Sequence, residues 1–125
     1  MRKDIAKATR EALLERASAK DEKTYSEYES EALGLVFTVK RLPVARLMAI
    51  MDMGEETAAG GLETSKQIIY ESVPILQDKE LQTAYSCVEP HDIVLAVFDD
   101  NLGEIERLVE FINGQYGLTV DDVKN

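Results

Sequence analysis

Apolar positions fall into a series of short helical patterns interrupted by one alternating run. Ile5, Ala8, Ala12 and Leu13 recur at helical spacing, with Arg16 completing the pattern, which predicts a helix over residues 3–19. Its stripe is thin and mostly alanine, so this helix either frays or lies apart from the core. Residues 21–31 (DEKTYSEYESE) carry five acids and one lysine. They read as a linker or loop, or as a polar edge strand through Tyr25 and Tyr28. The chain therefore divides into an N-terminal helix with acidic linker, residues 1–31, and a helical domain, residues 32–125.

Val36, Phe37, Thr38 and Val39 favour a strand, with Leu35, Phe37 and Val39 on one face and Pro43 ending it. A lone strand leaves half its backbone groups unpaired. Its partner is either the 25–31 segment, making a hairpin, or a strand from a second copy. Pro43 suits the first turn of a helix whose face is Val44, Leu47, Met48 and Met51, with Ala45 and Ile50 beside it. Gly54 stops this helix near Met53, and residues 55–61, ending in Gly60-Gly61, read as a flexible connection. A second helix is expected from Leu62 to Ser72, bearing Leu62, Ile68, Ile69 and Val73, and Pro74 marks its boundary.

Asp78 is a good N-cap for a short helix with Leu81, Ala84 and Tyr85. Glu89-Pro90 opens another, burying Ile93, Val94, Val97 and Phe98. Asn101-Leu102-Gly103-Glu104 matches a capping box with asparagine as the cap. The helix after it buries Ile105, Leu108, Val109 and Ile112, joined by Phe111 and Tyr116, and ends at Gly114 or Gly117. Thr119 to Asn125 suggests one more turn. The expected fold is mainly α: a compact bundle of about five to six short helices with one small β strand or hairpin near residues 25–41.

At 125 residues the chain has the size of one domain and can bury a core without metal or disulfide staples. Cys87 is the only cysteine, which suits a reducing cytoplasm. No apolar run approaches the ~20 residues of a membrane span, and no continuous apolar stretch follows the basic N-terminus, which argues against a secretory signal. The net charge of −10 is unevenly placed. Residues 1–20 hold six Lys or Arg against three acids, a net of +3, which leaves −13 on the other 105. A body this negative repels phosphate, so nucleic acid is an unfavoured partner, and no membrane is implied.

Residues that might carry chemistry are few. His91 is the only histidine, and Cys87, His91 and Asp92 have no recognised ligand spacing. His91 reads as an exposed or capping residue at a helix start, and Cys87 as a small residue buried between short helices. Asp99-Asp100-Asn101 lacks the alternating ligands of a calcium loop, and Gly60-Gly61 lacks the Lys-Ser/Thr of a phosphate loop. No metal, cofactor or catalytic residue is assigned, and an enzyme is the unfavoured class. Met48, Met51 and Met53 fit an adaptable binding surface, although at helical spacing beside Leu47 and Ile50 such residues are more often ordinary core.

Several stretches in order resemble a known family: GLVFTVKRLP over residues 34–43, IIYESVPILQDKEL over 68–81, EPHDIV over 89–94, the Leu102-Gly103-Glu104-Ile105 helix start and Gly117-Leu118. Together these are similar to the XkdN-like tail assembly chaperones of long-tailed bacteriophages and phage-like elements of Gram-positive bacteria. The most specific part is Val-Pro-x-Leu-x-Asp-x-Glu-Leu with Glu-Pro-x-Asp-Ile shortly after it, and residues 1–31 lie outside the resemblance. It implies a non-enzymatic protein of the bacterial host cytoplasm, absent from the mature virion. Such a protein binds the tape measure protein and keeps it soluble while tail tube subunits assemble around it. A frameshifted longer form would engage the major tail tube protein, this chain being the shorter form.

The helical pattern, not the family, supplies the candidate contact residues: Leu47, Ile50, Met51 and Met53, then Ile68 and Leu76. The competing expectation is a small acidic regulatory or adaptor protein, working through protein contacts as a homo-oligomer with the 3–19 helix presented to a partner.

Overall fold

The computed structural model describes residues 6–20 and 24–118. Ile5, the 21–23 part of the acidic segment and the expected 119–125 turn lie outside them. The fold is mainly helical with one antiparallel hairpin.

Helix α1 spans Arg10–Ser18, shorter than the expected 3–19. Thr9 sets its start: its backbone is extended, and its hydroxyl accepts the Ala12 N–H at 3.1 Å, ending the helix as a cap does. No residue of α1 is buried.

Strands β1 (Tyr25–Ser30) and β2 (Leu35–Lys40) pair from Tyr25↔Lys40 to Ser30↔Leu35, so the strand finds its partner within the chain. Gly34, at φ +66°, closes the turn by donating its N–H to the Ser30 carbonyl at 2.8 Å. Phe37 and Val39 are buried, and Tyr28, opposite Phe37, shares their face. Phe37 packs on Phe98 at 5.3 Å between ring centroids, and Tyr28 meets the edge of Phe111 at 5.4 Å. Leu35, beside the turn, stays exposed in spite of its face.

Helix α2 (Val44–Met53) buries Leu47 and Ile50, with Met51 half-buried. Val44 and Met48, expected on the buried face, are exposed, as is Met53. The helix is turned from its expected orientation. In this orientation Arg46 donates from Nε to Glu71 on the next helix at 2.7 Å, with a second bond from the same guanidinium.

Helix α3 (Ala58–Ser72) begins four residues before the expected start and takes in Gly60 and Gly61. Thr57 caps it, accepting the Gly60 N–H at 2.9 Å. Gly60 is required by packing: a Cβ there would sit 2.3 Å from the Glu55 carbonyl oxygen. The pair that reads as a breaker thus belongs to a helix whose first turn folds back on its own lead-in.

After α3, Val73 is extended and Pro74–Gln77 forms a 3₁₀ turn. Asp78 caps α4 (Lys79–Ala84) through the Leu81 N–H at 3.0 Å. A 3₁₀ turn at Pro90–Asp92 leads into α5 (Ile93–Val97). Helix α6 (Leu102–Gly114) is capped by Asn101, whose side chain accepts the Glu104 N–H at 3.1 Å. The Glu104 carboxylate does not return to close the box. It is 2% exposed and accepts the Tyr28 hydroxyl, tying the hairpin to α6.

The core gathers Phe37, Val39, Leu47, Ile50, Ile69, Leu76, Ile93, Val94, Phe98, Leu108 and Ile112. Tyr116 locks the end of α6 to the β2–α2 connection, accepting the Leu42 N–H at 2.7 Å and donating to the Leu42 carbonyl at 2.8 Å. Arg41 lies over its ring at 5.0 Å.

Candidate functional site: an acid-rimmed groove

Helices α3 and α6 pack along part of their length and separate toward the start of α3. The opening is a groove of about 600 Å³, with the end of α2 as its third wall. Ile68 and Ile105, both buried, form its floor, with Val109, Leu62, Met51 and Leu118 partly buried around them. Four exposed glutamates stand on its rim: Glu55 and Glu56 ahead of α3, Glu106 and Glu110 on α6. The α6 wall follows from spacing, because Ile105 and Val109 form one i,i+4 pair and Glu106 and Glu110 the pair beside it.

Two further residues shape the groove. Gly61 lies in its lining, and a Cβ there would meet nothing within 4 Å, so the missing side chain is open space. Asn113 is 2% exposed, and its amide oxygen has no hydrogen-bond partner among the described residues. An apolar floor whose charged neighbours are all glutamates suits a helix with an apolar stripe flanked by Lys or Arg.

The candidate contact residues separate. Met51 and Ile68 line this groove. Ile50 and Met53 border a shallower cleft of about 320 Å³ on the other side of Gly54 and Thr64, with Met53 64% exposed and Ile50 buried beneath it. Leu47 and Leu76 line neither cleft: both are fully buried in the core, which corrects their assignment as contact residues. Reasoning from the methionines missed Leu62, Leu102, Ile105, Val109 and all four glutamates. The parallel i,i+4 pairs on α6 were the available signal.

Ion pairs occupy the polar side chains around His91. His91 lies in the Pro90–Asp92 turn with Nε2 3.1 Å from Glu63. Lys66, almost fully buried, holds Glu63 at 3.1 Å and Asp92 at 3.2 Å, joining α3 to that turn. Burial opposes the Lys66 charge, but hydrogen bonds to Glu63 and Asp92 outweigh it and hold the ammonium above its ordinary value. The Lys66 bond, then His91, lowers Glu63; the Glu89 N–H, then Lys66, lowers Asp92. Burial, then Asp92, pushes the Cys87 thiol up, the direction that withholds a thiolate. Asp99 and Asp100 both adopt positive φ and form the reversal between α5 and Asn101. Among the described residues, no three His, Cys, Asp or Glu side chains converge to hold a metal, and no helix is long and apolar enough to cross a membrane.

Fold and groove together define a small helical domain with an acid-rimmed apolar cleft. Compared with family models, curated proteins and solved structures, the chain finds no match.

Proposed function

We propose that this protein is a binding protein whose groove takes up an amphipathic helix with basic flanks, and that it works as a bacteriophage tail assembly chaperone for the tape measure protein. The observation that carries the binding reading is the groove between α3 and α6, apolar at its floor and with glutamates as its only charged lining residues. The client follows from the resemblance of residues 34–123 to XkdN-like chaperones, because a tape measure offers long helices with apolar faces that aggregate when bare. Holding one such face in the groove removes it from water, while the −10 charge of the chaperone keeps the complex dispersed. Binding without catalysis, in the host cytoplasm and outside the finished particle, completes the proposal.

Co-expression with a candidate tape measure protein tests it. The expected result is a soluble stoichiometric complex with the wild-type chain and an insoluble client with Leu102→Glu/Glu106→Lys/Glu110→Lys. All three residues are exposed, so the folded body is retained. A client equally insoluble in both cases, with no complex, sinks the chaperone reading.

A further inference from the structure

We propose that the groove of one copy receives helix α1 of a second copy, so that the protein associates head to tail when no client is present. Helix α1 is well capped yet buries nothing, with Leu13 57% and Leu14 52% exposed. By helical spacing Arg10, Leu13, Leu14 and Ala17 share one face, with Arg16 at one edge, Glu11 at the other and Glu15 on the far side. An arginine beside leucines makes a poor face for an ordinary core. It matches this groove, where the leucines would meet the apolar lining at Leu62, Met51 and Val109, Arg10 the glutamates at 106 and 110, and Arg16 would be turned to the rim with Glu11 on the opposite edge.

Charge over longer range points the same way, since residues 1–20 carry +3 and the remainder −13. Among the described residues both surfaces are uncovered, and a second copy supplies each with its match. A contact joining two different surfaces is heterologous, so it propagates or closes into a ring. A client helix of the same chemistry would displace α1. The inference uses the groove of the proposed function, but its test contains no client, so the two readings fail separately.

The experiment is sedimentation velocity of the full chain over a concentration series up to about 1 mM. Two variants accompany it: Leu13→Asp/Leu14→Asp, altering only the exposed face of α1, and Glu106→Lys/Glu110→Lys, altering only the rim. The wild type should associate with concentration, and each variant alone should weaken association at least tenfold. Mixed, they should form a 1:1 heterodimer and nothing larger, because one retains only the groove and the other only the helix. Combining Arg10→Glu/Arg16→Glu with the rim lysines should restore self-association. A wild type monomeric throughout overturns the proposal, as does association that survives either variant or a mixture that stays monomeric. Circular dichroism on each variant checks that the fold is kept; if the α1 variant unfolds the body, α1 is part of the core and the proposal falls.

Discussion

Alanine at Gly60 and alanine at Gly61 should move stability in opposite directions, although the two are neighbours in one helix. Both glycines lie in the first turns of α3 and carry the same unfolded-state entropy. At Gly61 the added methyl meets nothing within 4 Å. The substitution should therefore stabilise by about 0.5–1 kcal/mol, raising the melting temperature by a few degrees. At Gly60 the methyl would lie 2.3 Å from the Glu55 carbonyl oxygen and 2.8 Å from its carbon. These are backbone atoms and cannot rotate away, so the lead-in to α3 must shift at a cost of ~1–3 kcal/mol. The same entropic gain offsets part of that, leaving a net loss of about 1–2 kcal/mol. Urea unfolding with unchanged slope reads both. Stabilisation by both alanines would mean that Glu55 does not pack on α3 and that the groove wall it forms is misplaced. Gly61→Phe extends the logic: it should leave the urea midpoint near wild type while filling the groove and abolishing client binding.

Tyr28→Phe and Glu104→Met should each destabilise by ~1–3 kcal/mol, and together by less than their sum, because each removes one partner of the Tyr28–Glu104 hydrogen bond. Burial and then the Glu104 bond push the Tyr28 hydroxyl up to about 12. With the folded value above the unfolded ~10, its contribution is complete below pH ~10 and is lost as pH rises toward 12. Urea midpoints at pH 9 and 11 should show this loss in wild type and less of it in Tyr28→Phe. At the acid end, Glu63, Asp92 and Glu71 are all held below their ordinary values. Their contribution is present above pH ~4.3 and disappears as pH falls through the lowered folded values; Lys66→Met should flatten this limb in an acid titration followed by circular dichroism. Finally, Leu47→Asp should abolish the helical signal, whereas Met53→Asp should keep it, and equal behaviour would show that α2 is turned the other way.

What the sequence determined by itself is the set of local decisions. Asp78 and Asn101 cap helices, Pro74 ends α3 and Pro90 opens a turn, because each acts on backbone within three or four residues of itself. The strand at 35–40 and its hairpin partner were legible for the same reason, since alternation and a nearby tyrosine-bearing segment suffice. The expectation of about five to six helices with one hairpin followed from these signals, and the described residues hold six.

Only the tertiary structure decided which apolar residues face inward and what the glycines are for. Helix α2 carries more apolar residues than its contact can cover, so pattern alone could not choose Leu47 and Ile50 over Val44 and Met48; packing against the rest of the core, distant in sequence, made the choice. Gly60-Gly61 looks like a breaker in one dimension, and becomes a helix start only when Glu55 folds against it. Glu104 reads as a local cap, yet bonds Tyr28, 76 residues distant. The groove is the extreme case. Its floor and rim come from three helices, and periodicity reports which face a residue shares but not where two such faces part.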